Sequence, residues 1–351
     1  MNAEELSRAV EDGEVLRKRS LAGASLAGGT YYGAVFEEVD FSGADLRGAV
    51  LDEATLIDCT LDGARLGQAG LAGTSFMRCK LVATELVGAR APKAKFVRCD
   101  LSGARFEVAD LGGATIAESD LTGAVLSGAK LERTSVVDCP TPGIDLSHSR
   151  WERAVLLGAD LRKGKLEGAR FIRTTLAGCN FAGRAMPGFS VQACLLKDAD
   201  FTGCDLTGAD LSQCMMGGAK LAQARLGGAR LAMVVLSGAV LAGADFGGAD
   251  LSQAILVDAD ATGANFAKAR LYQCIATRLK AAGARFGGAD LTYADFSHAM
   301  LDRADLAGVT FHRTNLHSIS DKEARIPSRD GAFATDADRR GAETWHQRGQ
   351  G

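Results

Sequence analysis

Two tryptophans, five prolines and five histidines in 351 residues leave this chain short of what enzymes and metalloproteins usually carry. Among His148, His298, His312, His317 and His346 there is no HExxH, and none lies at metal-ligand spacing to a cysteine pair; the chain also holds no GxSxG. The zinc-hydrolase and serine-hydrolase signatures are therefore excluded. No run of 18 apolar residues exists to span a membrane. Glu4 and Glu5 stand where a cleavable leader would carry lysines, so a cytoplasmic location is expected, with export lacking a removable signal left open. Forty basic residues nearly balance 43 acidic ones, and a net charge of −3 makes the chain neither a polyanion nor a polycation. Nine cysteines, an odd number, argue against a disulfide framework.

What is present is a period of five. From Leu21 to Leu316 the chain reads as sixty pentapeptides in one register, in which 48 of 60 centres are Leu or Phe. Two residues before the centre, 52 of 60 positions are Ala, Cys, Ser, Thr or Gly. A period of five fits neither an α-helix nor a flat strand. A unit this short has no core of its own, so the chain must turn at a fixed interval and stack each turn on the last. The 43 glycines suit tight corners. All nine cysteines (Cys59, Cys79, Cys99, Cys139, Cys179, Cys194, Cys204, Cys214 and Cys274) take the small inward position, which makes them core fillers. Cys59, Cys79 and Cys99 stack in one column, but parallel side chains in a dry core cannot form the tetrahedral shell of zinc.

Stretches such as Ala44-Asp45-Leu46-Arg47-Gly48, Ala209-Asp210-Leu211-Ser212-Gln213 and Ala289-Asp290-Leu291-Thr292-Tyr293 resemble the A(D/N)LXX unit of pentapeptide repeat proteins. The resemblance implies an all-β solenoid, a right-handed quadrilateral β-helix with four pentapeptides per coil and the centre and small residues inward. Sixty units then make fifteen coils and a rod roughly 72 Å long at a strand spacing of about 4.8 Å.

Three segments follow. Residues 1–16 are expected to form a capping helix: Asn2-Ala3-Glu4-Glu5 reads as a capping box, Ala3, Leu6, Ala9 and Val10 share a stripe, and Gly13 ends the turn. Residues 17–320 are the repeat β-helix. Residues 321–351 read as a polar, mostly disordered tail, with a short piece docked on the last coil as the alternative, and its only large anchors are Phe333 and Trp345. Two stretches break the pattern without shifting it, and read as distorted coils. In one, Pro140 and Pro142 flank Thr141 at a centre, with Ile144 at a small position; in the other, Arg184 and Phe189 take small positions.

The Asp residues before the centres are expected to brace turns, and Gly227-Gly228 and Gly247-Gly248 fall at corners rather than in phosphate loops. His298 and His317 come together on adjacent coils near Asp295; a surface metal site is the less favoured reading there, and solvated surface residues are the default. No catalytic, cofactor or metal residue is expected, and the chain reads as a non-enzyme.

Function then lies on the outer faces. Around Leu61 and Leu66 these are Gly, Ala, Ser, Thr, Asp and Arg, an ordinary solvated surface. The face centred on Leu131, Trp151 and Phe171 carries Arg90, Lys93, Lys130, Arg133, Arg150, Arg153, Arg170 and Arg173, diluted by Asp110, Glu132 and Glu152. Such a patch suits an acidic protein, anionic lipid or nucleic acid. The face centred on residues 36, 56 and 76 carries Val35, Ile57, Met77, Val97, Val137, Val155, Leu157, Leu195, Met215, Val235, Ile255, Val257 and Ile275, with Thr55, Thr115 and Thr175 between them. β-Branched residues are good strand formers, yet a stripe this long is more than a monomer usually exposes and suggests a partner surface or self-association.

The expected role is an interaction scaffold or adaptor for a protein partner, nucleic acid being the less favoured ligand. The Glu4-Glu5-Leu6 helix running directly into repeats is similar to pentapeptide repeat proteins of bacterial type VI secretion loci, which implies an adaptor or cargo-associated alternative. The fold also resembles that of quinolone-resistance pentapeptide proteins, DNA mimics acting on type II topoisomerases. Mimicry needs a dominant negative field and a hydrophobic C-terminal dimer module, and neither is visible here.

Overall fold

A backbone that turns at every fifth residue can pair with itself only after four turns, and the described ladders have this spacing of twenty up to the last coil, where Thr314 and Asn315 pair eighteen residues on with Ala332 and Phe333. The computed structural model describes residues 3–348, with side chains to Glu343. The chain packs as two compact units, residues 1–180 and 181–351.

The first unit opens with α1 (Ala3–Glu11), which buries Leu6 and Ala9. Gly13, at φ +72°, ends it, its N–H donating to the Val10 carbonyl at 3.0 Å. Asn2, expected as the cap, lies outside the described residues. The strands β1 (Val15–Arg17), β2 (Val35–Glu37), β3 (Thr55–Ile57), β4 (Ser75–Met77), β5 (Lys95–Val97), β6 (Thr115–Ala117) and β7 (Ser135–Val137) stack in parallel on one side. On β7 sits β9 (Val155–Leu156). On another side β8 (Arg150–Glu152) pairs with β10 (Arg170–Ile172). The remaining sides are joined by single parallel bridges at the same step, such as Ser20 with Asp40 and Ser25 with Asp45. Each unit of the chain is thus an all-parallel, four-sided β-solenoid.

The inward positions follow the five-residue register. Phe36, Phe76, Phe96, Phe106 and Trp151 are at most 1% exposed, and Phe76 stacks on Phe96 at 4.8 Å. Burying each such side chain is worth about 1.5–3 kcal/mol. The small positions also anchor the coils: the Thr74 hydroxyl donates to the Leu51 carbonyl at 2.7 Å, and the Cys79 thiol to that of Leu56 at 3.4 Å. Corners lie two residues after nearly every centre in the left-handed region, occupied by Gly43 (φ +64°) or by Arg78 (φ +53°). The residue before the centre braces the corner: Asp40 Oδ1 accepts the Ser42 N–H at 2.9 Å. At Pro140 the ladder loses a donor, although the Leu121 N–H still reaches the Pro140 carbonyl at 2.8 Å, and Thr141 and Ile144 stay buried at 1%.

The second unit repeats this plan with shorter paired segments. Its described strands are β11 (Val191–Gln192), β12 (Thr314–Asn315) and β13 (Ala332–Phe333); elsewhere the coils are held by single bridges. Phe246, Phe266 and Phe286 form a continuous stack at 5.0 Å spacing. At the irregular segment Arg184 and Phe189 occupy small positions, and Phe189 tilts against Phe181 at 6.0 Å.

The tail departs from the expected disorder. The ladder runs on to Arg325, paired with Asp305, and β13 pairs in parallel with β12. Helix α2 (Ala337–Arg348) follows, and Asp336 Oδ1 caps it by accepting the Arg339 N–H at 2.9 Å. The chain crosses so close to the previous coil that a Cβ on Gly331 (φ +84°) would fall on the Phe311 carbonyl oxygen. Order here comes from backbone pairing and a polar cap, neither of which needs apolar residues. Phe333, expected as an anchor, is 58% exposed. The side chain of Trp345 lies outside the described part.

Candidate binding faces

An outward side chain in this fold stands either just before or just after an inward centre, so the outer residues form columns spaced by twenty. In the first unit the apolar residues of the strand side lie mainly after the centre: Ile57, Met77, Val97, Val137 and Leu157. Val35 and Val155 precede theirs, in a column shared with Thr55, Ser75, Lys95, Thr115 and Ser135. Most of these apolar side chains are half-buried, Met77 being exposed at 37%. This is also where the first unit forms full three-residue strands, so their β-branched character serves the ladder.

In the second unit the apolar column precedes the centres. Leu195, Met215, Val235, Ile255 and Ile275 are bridged in sequence, and Asp295 follows. Met215 and Ile275 are 55% and 43% exposed, and Val257 is half-buried in the neighbouring column. These five residues are held by single parallel bridges rather than by three-residue strands. What reads in the sequence as one stripe is two columns, on opposite sides of the inward residue in the two units.

The basic face belongs to the first unit, and all eight of its basic residues are exposed. Trp151 and Phe171 form its inner surface, stacked at 6.0 Å, with the indole N–H donating to the Ser149 hydroxyl at 3.0 Å. Outside, Lys130, Arg150 and Arg170 are direct ladder neighbours. Arg133, Arg153 and Arg173 repeat along the adjacent corner at φ 55°, 53° and 50°. Arg90 and Lys93 stand apart, separated from the rest by Asp110 and Gly113. Two carboxylates interrupt the cluster: Glu152 meets Arg150 at 2.8 Å, and Glu132 lies 3.9 Å from Arg133. The Glu152 carboxyl is held below its ordinary range first by the hydrogen bond from Arg150, then by the nearby charges of Arg153 and Arg173.

Several columns alternate in sign, as in Asp45, Arg65, Glu85 and Arg105, or Asp210, Arg230, Asp250, Arg270 and Asp290, while others place like charges on neighbouring coils, as Asp100 with Asp120 and Arg78 with Arg98. Alternation turns the twenty-residue step into favourable neighbours, such as Arg78 with Asp58 at 2.7 Å. Like charges directly opposite are destabilising, so the column Lys130–Arg150–Arg170 works against the ladder that holds it.

A third cluster joins the last coils to α2. The structure brings His298 and His317 together, their rings 5.4 Å apart, but the third group is Glu343 rather than Asp295. Asp295 accepts from the Ser297 N–H and the Asn315 amide. Glu343 Oε2 lies 3.1 Å from His317 Nε2, and its Oε1 lies 3.6 Å from His298 Nε2 and 3.1 Å from Arg339 Nε. Nδ1 of His317 accepts the Asp336 N–H at 3.1 Å, which leaves the ring proton on Nε2 to be donated to Glu343. A cation at Nε2 would have to displace that proton and share the carboxylate with Arg339. The arrangement is a clasp for one carboxylate, and His317 and Arg339 hold the Glu343 carboxyl below its ordinary range. Glu343 lies 26 residues beyond His317, in a segment with no repeat pattern, so only a folded tail could reveal it.

All nine cysteines are buried and unpaired with one another by disulfides. Burial pushes the thiols of Cys179 and Cys214 up to about 12, and the neighbouring thiols of Cys59 and Cys99, together with burial, push that of Cys79 up as well. No helix among the described residues is long and apolar enough to cross a membrane.

A family profile described as pentapeptide repeats matches residues 20–56, 32–68, 99–136, 143–178, 176–213, 194–231, 219–256, 239–275 and 282–317. No curated protein matches the chain. Among solved structures it is similar to QnrB1, a plasmid-mediated fluoroquinolone resistance protein, at 18% identity over 64% of this chain and 95% of that one, with a TM-score of 0.26. It is also similar to HetL from the cyanobacterium Nostoc sp. strain PCC 7120, a pentapeptide repeat protein involved in heterocyst differentiation regulation, at 21% identity over 96% and 98% of the two chains, with a TM-score of 0.15. A pentapeptide repeat protein of the Arabidopsis thaliana thylakoid lumen matches at 28% identity over 32% of this chain and 68% of that one, with a TM-score of 0.22.

Proposed function

The chain belongs to the pentapeptide repeat family, and from that premise we propose that it is a non-enzymatic interaction scaffold whose first unit docks an acidic protein partner. The observation that carries this reading is the stacked column Lys130–Arg150–Arg170 beside Arg133, Arg153 and Arg173. Folding alone disfavours stacked like charges, and an acidic partner relieves the repulsion while gaining a steered approach. The charge balance of 40 basic to 43 acidic residues, with this patch on the first unit, runs against a DNA-mimic role.

The double variant Arg153→Glu and Arg170→Glu tests it, because it restores sign alternation along Arg133, Arg153 and Arg173 and turns the Arg150–Arg170 neighbours into opposite charges. Its fold should be unchanged, or more stable by about 0.2–1 kcal/mol per relieved pair. Proteins captured by the wild type and identified by mass spectrometry should be lost from the variant, and their association with the wild type should slow as salt rises. Equal capture by both proteins, or duplex DNA displacing the captured partner at equal concentration, overturns the proposal.

A further inference from the structure

We propose that the second unit pairs with a second copy of itself, side by side and antiparallel, through the column Leu195, Met215, Val235, Ile255 and Ile275. This uses no residue of the basic face, so the two readings fail separately. The column is a row of five apolar side chains on consecutive coils, with Met215 and Ile275 exposed by 55% and 43%. Single parallel bridges hold it, and no described strand of the unit runs through it. At about 4.8 Å per coil the row is about 19 Å long.

What identifies the occupant is the symmetry of the residues around the row. A two-fold axis across Val235, perpendicular to the column, sets Leu195 against Ile275 of the other copy, Met215 against Ile255, and Val235 against itself. The same operation acts on the corner column on one side, which reads Asp198, Gly218, Gly238, Asp258 and Arg278. It brings Asp198 opposite Arg278 at both ends and leaves bare glycine at the middle. Arg278 is already bonded to Asp258 through Nε and one terminal nitrogen, at 2.6 Å each, and its other terminal nitrogen remains to donate across the interface. The corner column on the other side reads Ala193, Gln213, Met233, Gln253 and Gln273. There Met233, 46% exposed, meets its own copy, and Gln213 meets Gln253. An isologous interface needs this self-complementarity. A parallel pairing would leave Asp198 and Arg278 four coils apart. Helix α2 reaches His298 and His317, outside the five paired coils.

The first unit lacks these properties at the corresponding positions. There the column before the centres includes Thr55, Ser75, Lys95, Thr115 and Ser135. Its corner column reads Glu38, Asp58, Arg78, Arg98, Glu118 and Asp138. An antiparallel copy centred on that run would set Arg78 against Arg98, Asp58 against Glu118 and Glu38 against Asp138. Like charges oppose like at each step, and self-pairing is confined to the second unit.

Full-length protein should sediment as a dimer at micromolar concentration. Met215→Lys should sediment as a monomer while keeping its fold, since Lys95 occupies the equivalent place in the first unit. Asp198→Arg should weaken the dimer at least tenfold, and Asp198→Arg combined with Arg278→Asp should recover it. Because every native cysteine is buried, introduced thiols report the register: Val235→Cys should oxidise to a covalent dimer, and Met215→Cys should not. A wild type that stays monomeric throughout overturns the proposal, as does cross-linking of Met215→Cys as readily as Val235→Cys, or failure of the Asp198/Arg278 exchange to rescue association.

Discussion

Replacing Phe266 by Ala removes the middle ring of the Phe246–Phe266–Phe286 stack, whose neighbours lie at 5.0 Å on both sides and which is 0% exposed. A buried Phe→Ala change costs about 3–5 kcal/mol. A solenoid cannot collapse around the gap, because its coil spacing is set by backbone ladders above and below, so a value of about 4 kcal/mol or more is expected. Entropy of unfolding near 2.1 cal/mol/K per residue converts this into a melting shift. If residues 181–351 melt as one cooperative body, a loss of about 4 kcal/mol lowers the midpoint by about 11 °C; if all 351 residues melt together, by about 5 °C. Calorimetry on Phe266→Ala therefore measures both the packing energy and the size of the cooperative unit. The outward change Ala267→Ser should stay within about 0.5 kcal/mol of wild type. A loss below about 1 kcal/mol at Phe266, or equal losses at the two positions, would refute the inward assignment of every fifth residue.

The nine buried thiols should react with a thiol reagent only as fast as the fold opens, and reductant should leave the melting temperature unchanged; rapid labelling of native Cys79 or Cys179 would contradict their role as core fillers. Asp45, held down to about 2 chiefly by the hydrogen bond from Arg47, contributes stability that is complete above the ordinary Asp range and disappears as pH falls through its lowered value. Acid titration of Asp45→Asn should accordingly show a shallower loss of stability between about pH 4 and pH 2 than the wild type, and parallel curves would remove Asp45 from the account.

The inward half of the structure was legible because one five-residue rule is written sixty times, so that exceptions such as Thr141 or Arg184 could not shift the register. Corner conformations were legible for the same reason: Gly recurs two residues after the centre, where φ is positive. The outer columns were only half legible. Residues before and after a centre both read as outward, and telling Val235 from Val257 requires knowing which side of the centre each one flanks. Helix α1 was visible through its apolar stripe. The tail was not, because β13 and α2 are held by backbone pairing, the Asp336 cap and the Glu343 clasp, and none of these leaves a hydrophobic period in the sequence.

The inward residues repeat at every fifth position and the outward columns at every twentieth. Removing twenty residues from the second unit would shorten every column by one step and change nothing else in it. Removing only 221–225 would leave each centre with a suitable inward residue, yet turn everything beyond by a quarter. Leu195 and Met215 would then continue into Val240, Asp260 and Lys280, while Val235, Ile255 and Ile275 moved to the adjoining side. Such a deletion would be nearly silent to a thermal melt and ruinous to any partner reading the surface. In a lineage of such chains, five-residue losses and gains can therefore change what a molecule binds while its core remains the same.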